Sequence, residues 1–320
     1  MFVWFPNKKS ADRVVDNFDE KLYSAVRSSL SDLAREEDVS FFIEDNFKAH
    51  PEVYQWQYNY QSSEEEDLNS FIDQNSPLNI KENIAQSRKR AKKNEKKFGF
   101  PLDTAWPGAD KSRTETRAKK ILENLGENDP NFTFNSMDQK KVAECLVKAF
   151  DLLEDIWPEQ LDEIKSLLQI AVIFKCDKAI GFTDVETNGV IYIKEESVDD
   201  PVELAELIVH EVAHGYLNML FASETLFLND NEEKFSSPLR PDPRPMFGVF
   251  HQLFVLMRLR EFYKKVHSID DRYDEKLEKI NLSTEEAFST VSQHAILTQA
   301  GKELVNSMEK ELKIPAKNCA

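Results

Sequence analysis

The chain has 320 residues, 41% of them hydrophobic, which is enough for one large domain or two modest ones with real cores. A net charge of −17 and a pI near 4.9 weigh against nonspecific nucleic-acid or anionic-membrane binding, so neither partner is expected. Cys145, Cys176 and Cys319 lack CxxC or metal-ligand spacing, and the start MFVWFPNKKSADRVVDNFDE shows no signal peptide, so a cytoplasmic chain without disulfides or membrane spans is expected.

Residues 11 to 35 place Val14, Val15, Phe18, Leu22, Val26, Leu30 and Leu33 at three- and four-residue spacing, the period of one helix face. QSSEEED (61–67) is polar and acidic and reads as a loop or cap. KENIAQSRKRAKKNEKKF (81–98) gathers Lys81, Arg88, Lys89, Arg90, Lys92, Lys93, Lys96 and Lys97 in an otherwise acidic chain. It reads first as a solvated helix face and second as a docking surface for an acidic segment. The segment 99–117, with GFPLDTAWPGADKS, is turn-rich and marks a link.

From 137 to 168, Val142, Leu146, Ala149, Phe150, Leu153 and Ile156 form a second helical stripe, interrupted at Pro158. The period then changes. LLQIAVIFKC (167–176), KAIGFT (178–183) and GVIYIK (189–194) are short β-rich runs, with Asn188-Gly189 as a hairpin signal. Asp199, Asp200 and Pro201 open a helix, PVELAELIVHEVAHGYLNMLFA. The expected fold is α+β, mostly α. A helical region over 1–125 precedes a domain over 126–320 with a small antiparallel sheet, the motif helix, an extended segment and further helices.

Within that helix, LIVHEVAHGYLN (207–218) holds His210 and His214 four residues apart, with Glu211 directly after the first. One helix face can present both imidazoles to a single ion, and Glu211 can face the open side or hydrogen-bond a bound water. Burying two imidazoles and a carboxylate without a metal is costly.

The third ligand must come from elsewhere. After His214 stand Gly215, Tyr216, Leu217, Asn218, Met219 and Leu220, so the HExxHxxGxxH position holds no histidine. Glu224, Glu232 and Glu233 are near in sequence, the last two in the loop-like NDNEEKFSSP. His251, 37 residues after His214, is the better choice. An imidazole among Phe247, Val249, Phe250, Leu253 and Phe254 needs a partner, which a metal or a backbone carbonyl would supply. His294 is the reserve, and His50 and His267 rank lower. In SSPLRPDPRPMFG, Pro238, Pro241, Pro243 and Pro245 stiffen the chain while Arg240 and Arg244 alternate with Asp242. Such arginines are placed to hold a carboxylate bidentately, or else form a surface Arg–Asp pair. Arg258 is the next arginine in line.

HEVAHG followed by RPDPRPMFGVFH resembles the HExxH-motif proteins encoded with ribosomally made, post-translationally modified peptides. The resemblance covers about residues 165 to 305, and DPRPxxGxxH is more specific than HExxH alone. It implies a zincin-like core and an Fe(II)/2-oxoglutarate-dependent dioxygenase that hydroxylates the β-carbon of a residue in a ribosomally made precursor peptide. Iron would sit on His210, His214 and His251, with Arg244 or Arg240 on the cosubstrate carboxylate and the 1–125 region recognising the leader. The role of Glu211 stays open. A Zn(II) metallopeptidase with Glu211 as general base is the first alternative, and a non-enzymatic, zinc-stabilised peptide-binding protein the second. Three nitrogen ligands suit Fe(II) and Zn(II) alike.

Overall fold

The computed structural model describes residues 4–32, 49–61, 77–104, 115–116, 119, 122–123, 131–134 and 139–312. Leu33, Cys319, the acidic loop from 62 and most of the link from 105 lie outside the described residues.

The stripe at 11–35 forms α1 (Lys8–Asp32), with Val14, Val15, Leu22 and Val26 buried. Next come α2 (Pro51–Gln61), α3 (Pro77–Phe98), α4 (Gln139–Ile156) and α5 (Pro158–Leu167). Pro158 occupies the first turn of α5, where its missing N–H has no helical partner to lose. The second stripe is therefore two helices broken at Trp157. After the sheet follow α6 (Pro201–Ser223), α7 (Met246–His267), α8 (Asp274–His294) and α9 (Gln299–Leu312). Asp200 caps α6, its Oδ1 accepting from the Val202 N–H at 2.7 Å and the Glu203 N–H at 3.4 Å.

Strands β1 (Ile170–Phe174), β2 (Gly181–Phe182) and β3 (Val190–Lys194) lie in the order β1-β3-β2. The antiparallel expectation is corrected here. β1 and β3 run parallel, Ile170 facing Val190 through Phe174 facing Lys194, and only β2 is antiparallel to β3. The chain passes the place of β3, lays β2 on the far edge and turns back into the middle. Both long strands are covered on both faces, the setting that parallel strands require. Ala171, Ile173, Ile191 and Ile193 enter the main core, while Ile170, Val172, Phe174, Val190 and Tyr192 enter a second cluster with Phe132 and Phe182. The return turn has Asn188 at φ −51° and Gly189 at φ +87°. These are the signs of a type II turn, so Asn-Gly ends a longer loop instead of forming a two-residue hairpin.

The proline-rich stretch is a strand. β4 (Phe235–Ser237) and β5 (Arg240–Arg244) form an antiparallel ribbon ahead of α7, with Phe235 opposite Arg244.

Helix α6 is at the centre, packed by α1, α4, α5 and α7, and α8 lies on α7. It is apolar around most of its circumference, as a helix enclosed on several sides must be. The main core draws on both expected regions, since Val14 and Val15 of α1 share it with Leu207, Ile208 and Val209 of α6 and with Phe254 of α7. A separate cluster joins Leu22 and Val26 to Val53, Tyr54 and Trp56 of α2 and Ile80 of α3. Among the described residues no helix is long and apolar enough to cross a membrane.

Candidate metal centre

Helix α6 carries His210, Glu211 and His214, and α7, packed against it, carries His251. The rings of His210 and His214 stand 5.0 Å apart, and those of His214 and His251 5.3 Å apart at 25°. His214 Nδ1 and His251 Nδ1 lie 3.1 Å apart. Two nitrogens each about 2.1 Å from one ion lie roughly 3.0 to 3.4 Å apart at square to tetrahedral angles. The pair therefore has the spacing of two adjacent ligands, and equally that of an N–H···N hydrogen bond. Among the described residues no three His, Cys, Asp or Glu side chains converge on one point as they stand. Of the three histidines, His214 and His251 are in contact, and the ring of His210 lies 5.0 Å from that of His214.

His251 is buried, and its Nε2 has no hydrogen-bond partner. The Phe247 ring lies 4.4 Å away and that of Phe221 stacks on it at 5.5 Å. In such surroundings an unmet ring nitrogen costs about 1–3 kcal/mol, so one of its two nitrogens is a donor in search of an acceptor or a lone pair in search of an ion. His210 and His214 are only half-buried and border the surface. Burial lowers the pKa of all three, His251 to about 3. All three are thus neutral at pH 7, the form that binds a metal without first losing a proton.

Glu211 is buried on the side of α6 that faces β2. Its Oε1 would lie 3.3 Å from a Cβ on Gly181, and burial raises its carboxyl to about 8. Thr183, Gly189 and Gly215 line, with Glu211, a cavity of about 10 Å³, the size of a single water.

Two of the three arginines have partners. Arg244 Nε lies 3.0 Å from Asp242 Oδ2 without the alignment of a hydrogen bond, Nη2 donates to Asp242 Oδ1 at 3.5 Å, and the stem passes over Gly248, one turn ahead of His251. Arg240 is exposed on β5. Arg258 is fully buried, its guanidinium 3.0 Å from Glu163 Oε2 and 3.3 Å from Gln160 Oε1, over the Phe254 ring at 5.1 Å. His294 is exposed at the end of α8 beside Phe235, Glu232 and Glu233 lie exposed in the turn before β4, and Glu224 caps the C-terminus of α6. His50 is buried at the start of α2, and His267 pairs with Asp274 at 2.6 Å.

Sequence reasoning passed over Glu206, one turn before His210. It accepts from the Tyr263 hydroxyl at 2.7 Å and pairs with Lys276, and its charge pulls the His210 pKa upward against burial. The four-residue spacing from Glu206 to His210 was the available signal. Phe221 was also missed, because only the crossing of α6 and α7 brings it to His251. The chain matches no protein-family model and no curated protein.

Proposed function

We propose that the chain is a metal-dependent enzyme whose centre is built on His210, His214 and His251. The observation that carries this reading is the 3.1 Å approach of the His214 and His251 Nδ1 atoms across α6 and α7, with His210 one turn before His214. The resemblance of HEVAHG and RPDPRPMFGVFH to the peptide-modifying HExxH proteins supports a finer reading. On it the chain is a zincin-like Fe(II)/2-oxoglutarate dioxygenase acting on the β-carbon of a residue in a ribosomally made precursor peptide.

Iron with 2-oxoglutarate supplies, when bound, oxidation of a C–H bond by dioxygen coupled to decarboxylation. The three neutral imidazoles would hold the ion from two helices whose mutual packing is set by the main core. Phe221 and Phe247 exclude water from the His251 side. Glu211, positioned against β2, would hold a water or a polar substrate atom. Arg244 would hold the distal carboxylate of the cosubstrate through the guanidinium that here pairs with Asp242.

A second reading, a Zn(II) metallopeptidase, is favoured by the burial of Glu211 directly beside His210 on the motif helix. One experiment separates the two. Protein loaded with Fe(II) is given 2-oxoglutarate and a library of short candidate peptides, and the products are followed by mass. Succinate with a peptide gain of one oxygen is the expected result. Peptide cleavage that disappears in Glu211→Gln overturns the hydroxylase reading in favour of the peptidase.

A further inference from the structure

Helix α3 carries eight basic and two acidic residues, which leaves it at +6 and the rest of the chain at −23. Its contacts set which way those charges face. Ile80, Ser87 and Phe98 are buried, and Phe98 meets Phe150 of α4 edge-on at 6.1 Å. Arg90 donates to the buried carboxylate of Asp103, Nη2 to Oδ2 at 2.7 Å, and the Ser87 hydroxyl donates to the same oxygen at 2.6 Å. Asn94 donates to the Leu102 carbonyl at 3.0 Å.

The outward face that results is a row of Lys89, Lys92, Lys93, Lys96 and Lys97, all exposed. Their spacing is i, i+3, i+4, i+7, i+8, a single stripe about 12 Å long at 1.5 Å per residue. None of the five forms an ion pair with a described residue. Like charges at these spacings work against the helix that displays them, and a partner of opposite sign relieves that repulsion.

We propose that this stripe docks a short acidic segment of a peptide or protein partner. Charge complementarity sets the sign and the size of the stripe sets the class. About 12 Å faces roughly four residues of extended chain at 3.3 Å each. A nucleic acid would run past the stripe onto a surface of the opposite net sign and be repelled. Five ammonium groups on flexible stems suit irregularly spaced carboxylates better than a planar fork would. The stripe shares no residue with the histidine centre, and its binding is independent of any metal there.

The test uses the full chain and a fluorescein-labelled oligoglutamate peptide, read by anisotropy. Wild type is expected to bind saturably, about tenfold or more weaker when salt rises from about 50 to about 300 mM. The variant Lys89→Gln/Lys92→Gln/Lys93→Gln/Lys96→Gln/Lys97→Gln is expected to lose about tenfold or more in affinity with an unchanged circular dichroism spectrum. A control with Lys148, Lys279, Lys302 and Lys310 changed to Gln keeps wild-type binding. Should the fivefold variant fail to fold, Lys92→Glu and Lys96→Glu, read singly, are each expected to weaken binding. No saturable binding by wild type, equal binding by the stripe variants, or tighter binding of an oligothymidylate of equal charge overturns the proposal.

Discussion

Gly181, on edge strand β2, leaves open the space beside which the Glu211 carboxylate lies. A Cβ at that position would stand 3.3 Å from Glu211 Oε1, 3.0 Å from the Tyr192 carbonyl oxygen and 2.7 Å from Leu207 Cδ1. Leu207 can turn away, but the Tyr192 oxygen belongs to the central strand and cannot. Gly181→Ala is therefore expected to destabilise the fold by about 1–3 kcal/mol and to displace Glu211. Urea unfolding checks the first, and an unchanged midpoint refutes it.

The histidine centre makes a stoichiometric prediction. Wild type is expected to hold one metal ion per chain after dialysis. His210→Ala, His214→Ala and His251→Ala should each lower affinity about 100-fold or more while leaving most of the helical signal. Metal content by mass spectrometry, beside circular dichroism, is the measurement. Full occupancy in His251→Ala would hand the third position to another residue.

Arg244 already has a carboxylate partner in Asp242, and the proposed cosubstrate has to replace it. Arg244→Ala is expected to weaken 2-oxoglutarate binding about 30- to 1000-fold, with Arg244→Lys recovering part of the loss. Calorimetric titration of the metal-loaded protein decides. Unchanged binding in Arg244→Ala assigns the residue to a structural pair with Asp242, and Arg240 is next to be tested.

The buried pair Arg258–Glu163 ties α7 to α5. Burial pushes the Glu163 carboxyl up, and Arg258 beside it pulls the other way. Removing one partner strands the other charge, so Arg258→Met alone should cost about 3–5 kcal/mol. Arg258→Met with Glu163→Leu should cost clearly less. Equal losses in the single and double variants, by urea midpoint, would refute the pairing argument.

His50 is expected to make the fold less stable in acid. Burial first, and the nearby Arg88, lower its pKa to about 3, while its Nδ1 accepts from the Glu52 N–H at 3.2 Å. A base whose folded pKa is depressed contributes stability that is present above its unfolded pKa and lost as pH falls. Between pH 7.5 and 5 this group alone should cost about 2 kcal/mol. The other buried histidines add their own loss, so the comparison is with His50→Gln, both proteins metal-free. The variant should lose less over the same interval, and identical slopes would refute the assignment.

Periodicity made the helices legible. The stripe of Val14 to Val26, the Asp200-Pro201 start of α6 and the break at Pro158 depend on neighbours within a few residues, and the structure has each of them. The spacing of His210 and His214 is local in the same sense, since one helical turn brings them to one face. Strand direction was not legible, because Ile170–Phe174 and Val190–Lys194 are equally apolar in either orientation. It was decided by the route of the chain past β3 to the β2 edge, with helices and the Phe132 cluster covering both faces.

Residue order alone specifies which side chains could bind a metal and on which helices they sit. Which of them meet depends on how those helices pack. His251 reaches His214 because α7 packs on α6, Asp242 meets Arg244 because the proline-rich stretch is a strand, and Arg258 is enclosed with Glu163. Local backbone preferences act over one or two turns, whereas the His214–His251 and Arg258–Glu163 contacts join residues far apart in the chain through the burial of apolar surface between them. That burial is non-directional, so only the assembled core sets which polar groups end up facing one another.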